Sequence, residues 1–163
     1  MSRRARALGV AIAACGVLLA VLPALPWYGA TLPTGEATLS GYGAGGASWI
    51  LPLIGAAMIV TGALVARWQP LPGTRPARVL GGLSILWAVL GVAWSALIAL
   101  SPRVEVVAER LGAPDAPVAG DWSVSVLPSA WACVAAAALA GMAAILLVTP
   151  RPEDLTPRDD TAP

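Results

Sequence analysis

The stretch "AIAACG", residues 11–16, decides the fold because it supports two incompatible readings. Ile12-Ala13-Ala14-Cys15 has the form of a lipobox, the tetrapeptide cut before a lipidated cysteine, which would make the chain an anchored ectodomain. The same residues can form the middle of a membrane helix, with Cys15 an ordinary small apolar residue. A lipoprotein signal needs its apolar region before the cysteine and polar sequence after it. Here only Ala7 to Ala14 separate Arg6 from Cys15, while Gly16 to Leu22 continue without a charge. A signal h-region runs about 7–15 residues and ends at a small-residue site; this run is longer and closes on Pro26-Trp27-Tyr28. The segment reads as a membrane helix, with Cys15 lipid-facing or packed.

Composition points the same way. The chain is 58% hydrophobic and 12% charged, with mean hydropathy +0.77. A soluble domain carries about 25% charged residues, so half the usual solvating charge is missing and most of the chain belongs in a bilayer. A net charge of +1 offers no basic footprint for nucleic acid. Lys, His, Phe and Asn are absent, a bias expected of a high-GC bacterial genome.

Four apolar stretches reach the roughly 20 residues that a hydrocarbon core of about 30 Å requires. They cover about 7–28, 48–66, 79–100 and 124–148. Backbone groups in lipid must pair within their own segment, so each stretch is expected to be helical. The expected fold is an all-α integral membrane protein, with four transmembrane helices as two hairpins in one domain, residues 1–149. The tail, residues 150–163, is charged and Pro-rich with little to bury, and is expected to be disordered in the cytoplasm.

With four spans, eight of the ten arginines fall on one side: Arg3, Arg4, Arg6, Arg67, Arg75, Arg78, Arg151 and Arg158. Only Arg103 and Arg110 fall on the other. The positive-inside rule therefore assigns both termini to the cytoplasm of a multi-pass plasma-membrane protein. Trp27, Tyr28, Trp49, Trp68 and Trp122 stand at span ends, where amphipathic rings bridge lipid and water, and are expected as interface anchors.

Two segments face outward on this scheme. "GATLPTGEATLSGYGAGG", residues 29–46, reads as a flexible loop or a weak hairpin lying on the helices. "RVEVVAERL", residues 103–111, allows either a short amphipathic helix or a strand. "GAPDAPVAGDW", residues 112–122, then turns the chain back.

The chemistry of the sequence is mostly negative. None of the four spans contains Asp, Glu, Lys, Arg or His, the groups from which intramembrane proton relays and ion sites are built. His is absent and the only cysteines, Cys15 and Cys133, lie within spans, so neither a metal nor another cofactor is expected, nor a disulfide. Glu36, Glu105, Glu109, Asp115 and Asp121 read as solvated loop charges rather than a catalytic acid pair.

The positive signal is the placement of small residues. Gly9, Ala13, Gly16 and Ala20 fall on one stripe of span one, and Gly55, Gly62 and Ala66 on one of span two. Span three has Ser84, Ala88, Gly91 and Ser95; span four has Ala130, Cys133, Ala137, Gly141 and Ala144. Such stripes let helix backbones approach closely in lipid and predict a packed bundle. Trp87 and Trp94 lie deep in span three, one heptad apart, as packing residues or as a cradle for an aromatic ligand. Ser84, Ser95 and Thr61 are the hydroxyls within reach of their indoles. Pro52 and Pro128 fall near the first turns of helices, where a missing N–H is tolerated.

The basic start "RRAR" (3–6), Trp27, the inner "RPARVLGG" (75–82) and Trp131 at the opening of span four give the chain a family likeness. It resembles the actinobacterial tryptophan-associated (Trp-operon-associated) transmembrane proteins. The resemblance implies a four-span layout and carries no functional residues. The expected function is a non-catalytic accessory, scaffold or partner-binding subunit, with the bilayer and another membrane protein or a second copy as partners. The alternative is a component of a small-molecule permease or exporter, with a link to aromatic amino-acid metabolism.

Overall fold

Proline placement sets where the membrane helices begin and end. In a computed structural model describing residues 3–32, 35–43, 46–71, 74–100, 104–110 and 123–150, helix α1 spans Arg3–Val21. A 3-10 turn, Leu22–Ala24, follows with Pro23 inside it. Leu25 is then extended, as the residue before a proline prefers to be. The first span therefore ends by Ala24, short of the expected Tyr28. Cys15 lies in mid-helix, and the helix continues past it to Val21.

Helix α2, Ile50–Trp68, is entered through a second 3-10 turn, Gly46–Trp49. It stops where Gln69 turns left-handed, at φ 46°, and donates its N–H to the Val65 carbonyl; Pro70 follows. Helix α3 runs Arg75–Leu100 and a short helix α4 runs Val104–Arg110, which decides the helix-or-strand alternative for that segment in favour of helix. Helix α5, Pro128–Val148, opens with its proline in the first turn. Four of these helices, α1, α2, α3 and α5, are long and apolar enough to cross a membrane.

The fold is not all-α. Strand β1 (Pro26–Leu32) pairs antiparallel on one side with β2 (Gly35–Ser40) and on the other with β3 (Ser123–Val126). Tyr28 faces Leu39 and Val126 in this order, and Ala30 faces Ala37 and Val124. The register slips between Pro26 and Tyr28, a bulge that re-aims Trp27. Residues expected to end span one and to begin span four are thus sheet, which satisfies their backbone groups once the helices have stopped.

Helix α1 packs against α2 and α5, and α3 packs against α5 and α2. The central core includes Ile12, Leu19, Met58, Ala88, Cys133 and Ala137. Trp27 and Tyr28 join it at 0% and 2% exposure, which corrects their assignment as interface anchors. Trp49 and Trp68, each 63% exposed, do occupy open positions at helix ends. Trp122, Arg103, Asp115, Asp121 and the tail from residue 151 lie outside the described residues.

Candidate functional site

Helices α1 and α2 meet backbone to backbone. A β-carbon on Gly9 would stand 2.6 Å from the Gly62 carbonyl oxygen and 2.5 Å from the Ala66 nitrogen. One on Gly62 would stand 2.6 Å from both the Gly9 oxygen and the Ala13 nitrogen. Two turns along, Gly16 and Gly55 repeat the arrangement, at 2.6 Å and 2.5 Å from each other's carbonyl oxygens, with Ala20 beside Gly55. Glycines one heptad apart on each helix therefore face one another in antiparallel register, and no side chain separates the backbones.

The other stripes are less tight. Gly91 lies beneath Leu19 and Ala137, whose carbons would come within 3.0 and 3.1 Å of a β-carbon there. Gly141 is half-buried opposite Ala88, at 3.3 Å on the same measure. Ser84, Ala88, Gly91 and Ser95 all point inward from α3.

Polar groups inside the bundle are satisfied locally. Ser84 donates its hydroxyl to the Leu80 carbonyl, Ser95 to that of Gly91, and Thr61 to those of Ala57 and Met58. Trp87 and Trp94 are half-buried and pack against the core cluster. Cys133 is fully buried and Cys15 half-buried; both are free thiols. Among the described residues no His, Cys, Asp or Glu side chains group as metal ligands.

The sheet closes one end of the bundle. Tyr28 donates its hydroxyl to the Ile98 carbonyl at 2.7 Å, near the end of α3. Tyr42 donates to the Ala20 carbonyl at 2.8 Å, near the end of α1, and stacks on Trp49 with ring centres 4.8 Å apart. The Trp27 indole donates to the Leu22 carbonyl at 2.9 Å, and its ring lies over Gly41, where a β-carbon would approach to 2.8 Å. The Leu127 N–H bonds the Trp27 carbonyl and the Ser129 hydroxyl bonds that of Pro26, so the start of α5 is tied to β1. The carbonyls of Ala20, Leu22 and Ile98, near the ends of α1 and α3, are thereby satisfied by side chains of the sheet and of the turn that follows it. Burial raises the Tyr28 phenol above its ordinary pKa, because ionisation would place charge beneath this cap.

The sequence places Trp27 and Tyr28 in the interface belt and Gly41 and Tyr42 in a flexible loop or weak hairpin, and gives none of them a role in closing the bundle. The signal available was the pair Pro23 and Pro26, which ends a helix before "WYG" begins.

Between α3 and α5 lies a groove of about 340 Å³ lined by Ile85, Ala88, Val89, Val92, Ala137, Gly141 and their apolar neighbours. Trp87 and Trp94 are not in its wall. At the bundle end opposite the sheet, Arg4 donates to the Leu146 carbonyl at 2.7 Å, bridging the start of α1 to the last turn of α5. A guanidinium at a helix C-terminus is favourably placed against the helix dipole. No known protein family, curated protein or solved structure matches this chain.

Proposed function

We propose that this chain is a multi-pass bacterial plasma-membrane protein, with its helices as two hairpins and both termini in the cytoplasm. In this reading it acts as a non-catalytic accessory or scaffold subunit for another membrane protein or for a second copy of itself. The carrying observation is the state of the interior. Helices α1 and α2 meet at backbone level along Gly9, Gly16, Gly55 and Gly62, and the hydroxyls of Thr61, Ser84 and Ser95 donate to their own helices. Such an interior holds a shape, and among the described residues every buried side-chain nitrogen or oxygen has a hydrogen-bond partner. The arginine distribution supports the sidedness.

Extraction in a gentle detergent after crosslinking in intact membranes tests the role. The expected result is one defined stoichiometric complex, either a homo-oligomer or a pair with a particular membrane protein. A strictly monomeric chain under both conditions would overturn it.

A further inference from the structure

Arg78, Gly82, Ile85, Val89 and Val92 succeed one another on α3 at steps of three or four residues, so they lie along a single face. Arg78 is exposed at the end of this track. Gly82, next along, is also exposed, and a β-carbon there would have nothing within 4 Å. Ile85, Val89 and Val92 then form one wall of the 340 Å³ groove, with Ala137, Gly141 and Met142 of α5 opposite. Val89 and Met142 are more than half exposed, so the groove opens outward rather than into the core. A guanidinium therefore heads an unobstructed strip that leads into an apolar trough.

The depths match one leaflet of a bilayer. At 1.5 Å per residue, Ile85 lies about 10 Å and Val92 about 21 Å along the helix from Arg78. Half of a hydrocarbon core is about 15 Å, which falls between them.

Charge at that end selects the head. The start of α1 lies beside the end of α2, because Gly9 abuts Ala66. The start of α3 lies beside the end of α5, because Gly81 packs on Val148. Arg3, Arg4, Arg6, Arg67, Arg75 and Arg78 are thus gathered at one level, with no carboxylate among the described residues there. In the sequence, the residues after α5 add Arg151 and Arg158 together with four carboxylates, Glu153, Asp154, Asp159 and Asp160.

We infer that this face seats an anionic phospholipid, its phosphate on Arg78 and Arg75 and one acyl chain running over Gly82 into the groove between α3 and α5. Arginine suits the phosphate because its planar fork can donate two hydrogen bonds at once. The cationic surplus favours a head with net negative charge over a zwitterionic one. The inference rests on the membrane crossing alone and is independent of any protein partner.

The test is native mass spectrometry of the full chain in mild detergent, titrated with phosphatidylglycerol, with phosphatidylcholine of the same chains, and with inorganic phosphate. Phosphatidylglycerol should be retained about fivefold better than phosphatidylcholine, the worth of roughly one arginine at an anionic surface. Arg78→Gln should bring it to the phosphatidylcholine level, while Gly82→Leu should weaken both lipids alike by obstructing the chain. Arg110→Gln, on α4 at the other end, should change neither, and circular dichroism should show all variants folded. Equal retention of the two lipids, an unaffected Arg78→Gln protein, or unchanged lipid binding by folded Gly82→Leu protein would overturn the seat. Displacement of phosphatidylglycerol by inorganic phosphate would do the same, by assigning the arginines to a free anion.

Discussion

Gly9 and Gly62 hold α1 and α2 in backbone contact, each leaving 2.6 Å between the other's carbonyl oxygen and the point where a β-carbon would sit. Real β-carbons do not approach oxygen so closely, so any larger residue forces the helices apart. Gly9→Leu and Gly62→Leu are each expected to destabilise the bundle by about 1–3 kcal/mol through overpacking. The readout is the midpoint of thermal or SDS unfolding. Ala56→Leu, on an exposed face of α2, should stay within about 0.5 kcal/mol of the parent. Equal effects from the two classes of variant would contradict the contact.

Tyr28 ties the sheet to α3 through its hydrogen bond to Ile98. Tyr28→Phe keeps the ring and removes the donor, so it should cost about 1 kcal/mol. The loss should concentrate in the cap, seen as faster proteolysis between residues 26 and 43 with helix content unchanged. A parent-like cleavage rate would remove the bond from the account.

The same residue gives the cap a pH limit. Burial raises the Tyr28 pKa above 10.0, and that of Tyr42 also. The folded state keeps the phenolic proton that the unfolded chain releases near pH 10, so this stabilisation is present below that pH. It is lost as pH climbs through the raised folded value, where ionisation also removes the donor to Ile98. Absorbance at the phenolate band should show both tyrosines titrating later in the folded protein than after denaturation. Superimposable curves would be inconsistent with the burial of Tyr28.

Cys133 is sealed in the core while Cys15 is half-buried on α1. In folded protein in detergent, a small maleimide should modify Cys15 slowly and Cys133 only after denaturation. Labelling of Cys133 at the faster rate would mean that α5 presents a different face to the bundle.

The helices were legible in the sequence because their physics is local. Length, absence of charge and flanking arginines suffice for residues such as Val79 to Leu100, and a glycine heptad needs only periodicity to be noticed. Trp27 and Tyr28 were misplaced for an equally physical reason. "PWY" extends the apolar run after Val21, and hydropathy alone does not separate a buried strand from a helix end. The pairing of Tyr28 with Val126 joins residues far apart in the chain, and β3 is only Ser123–Val126, too short to announce itself. Likewise, Trp87 and Trp94 share a heptad spacing, but only packing shows that the groove lies along the neighbouring face.

Four helices are long and apolar enough to cross a membrane, and the proposed topology leaves both chain ends on its inner side. Single cysteines placed in a Cys15→Ala, Cys133→Ala background, at Ser2, Thr38 and Thr156, report this sidedness through a membrane-impermeant maleimide. Thr38→Cys, on exposed β2, should react in intact cells, whereas Ser2→Cys and Thr156→Cys should react only once the membrane is opened. Reaction of either terminal position in intact cells, or protection of Thr38→Cys there, would contradict it.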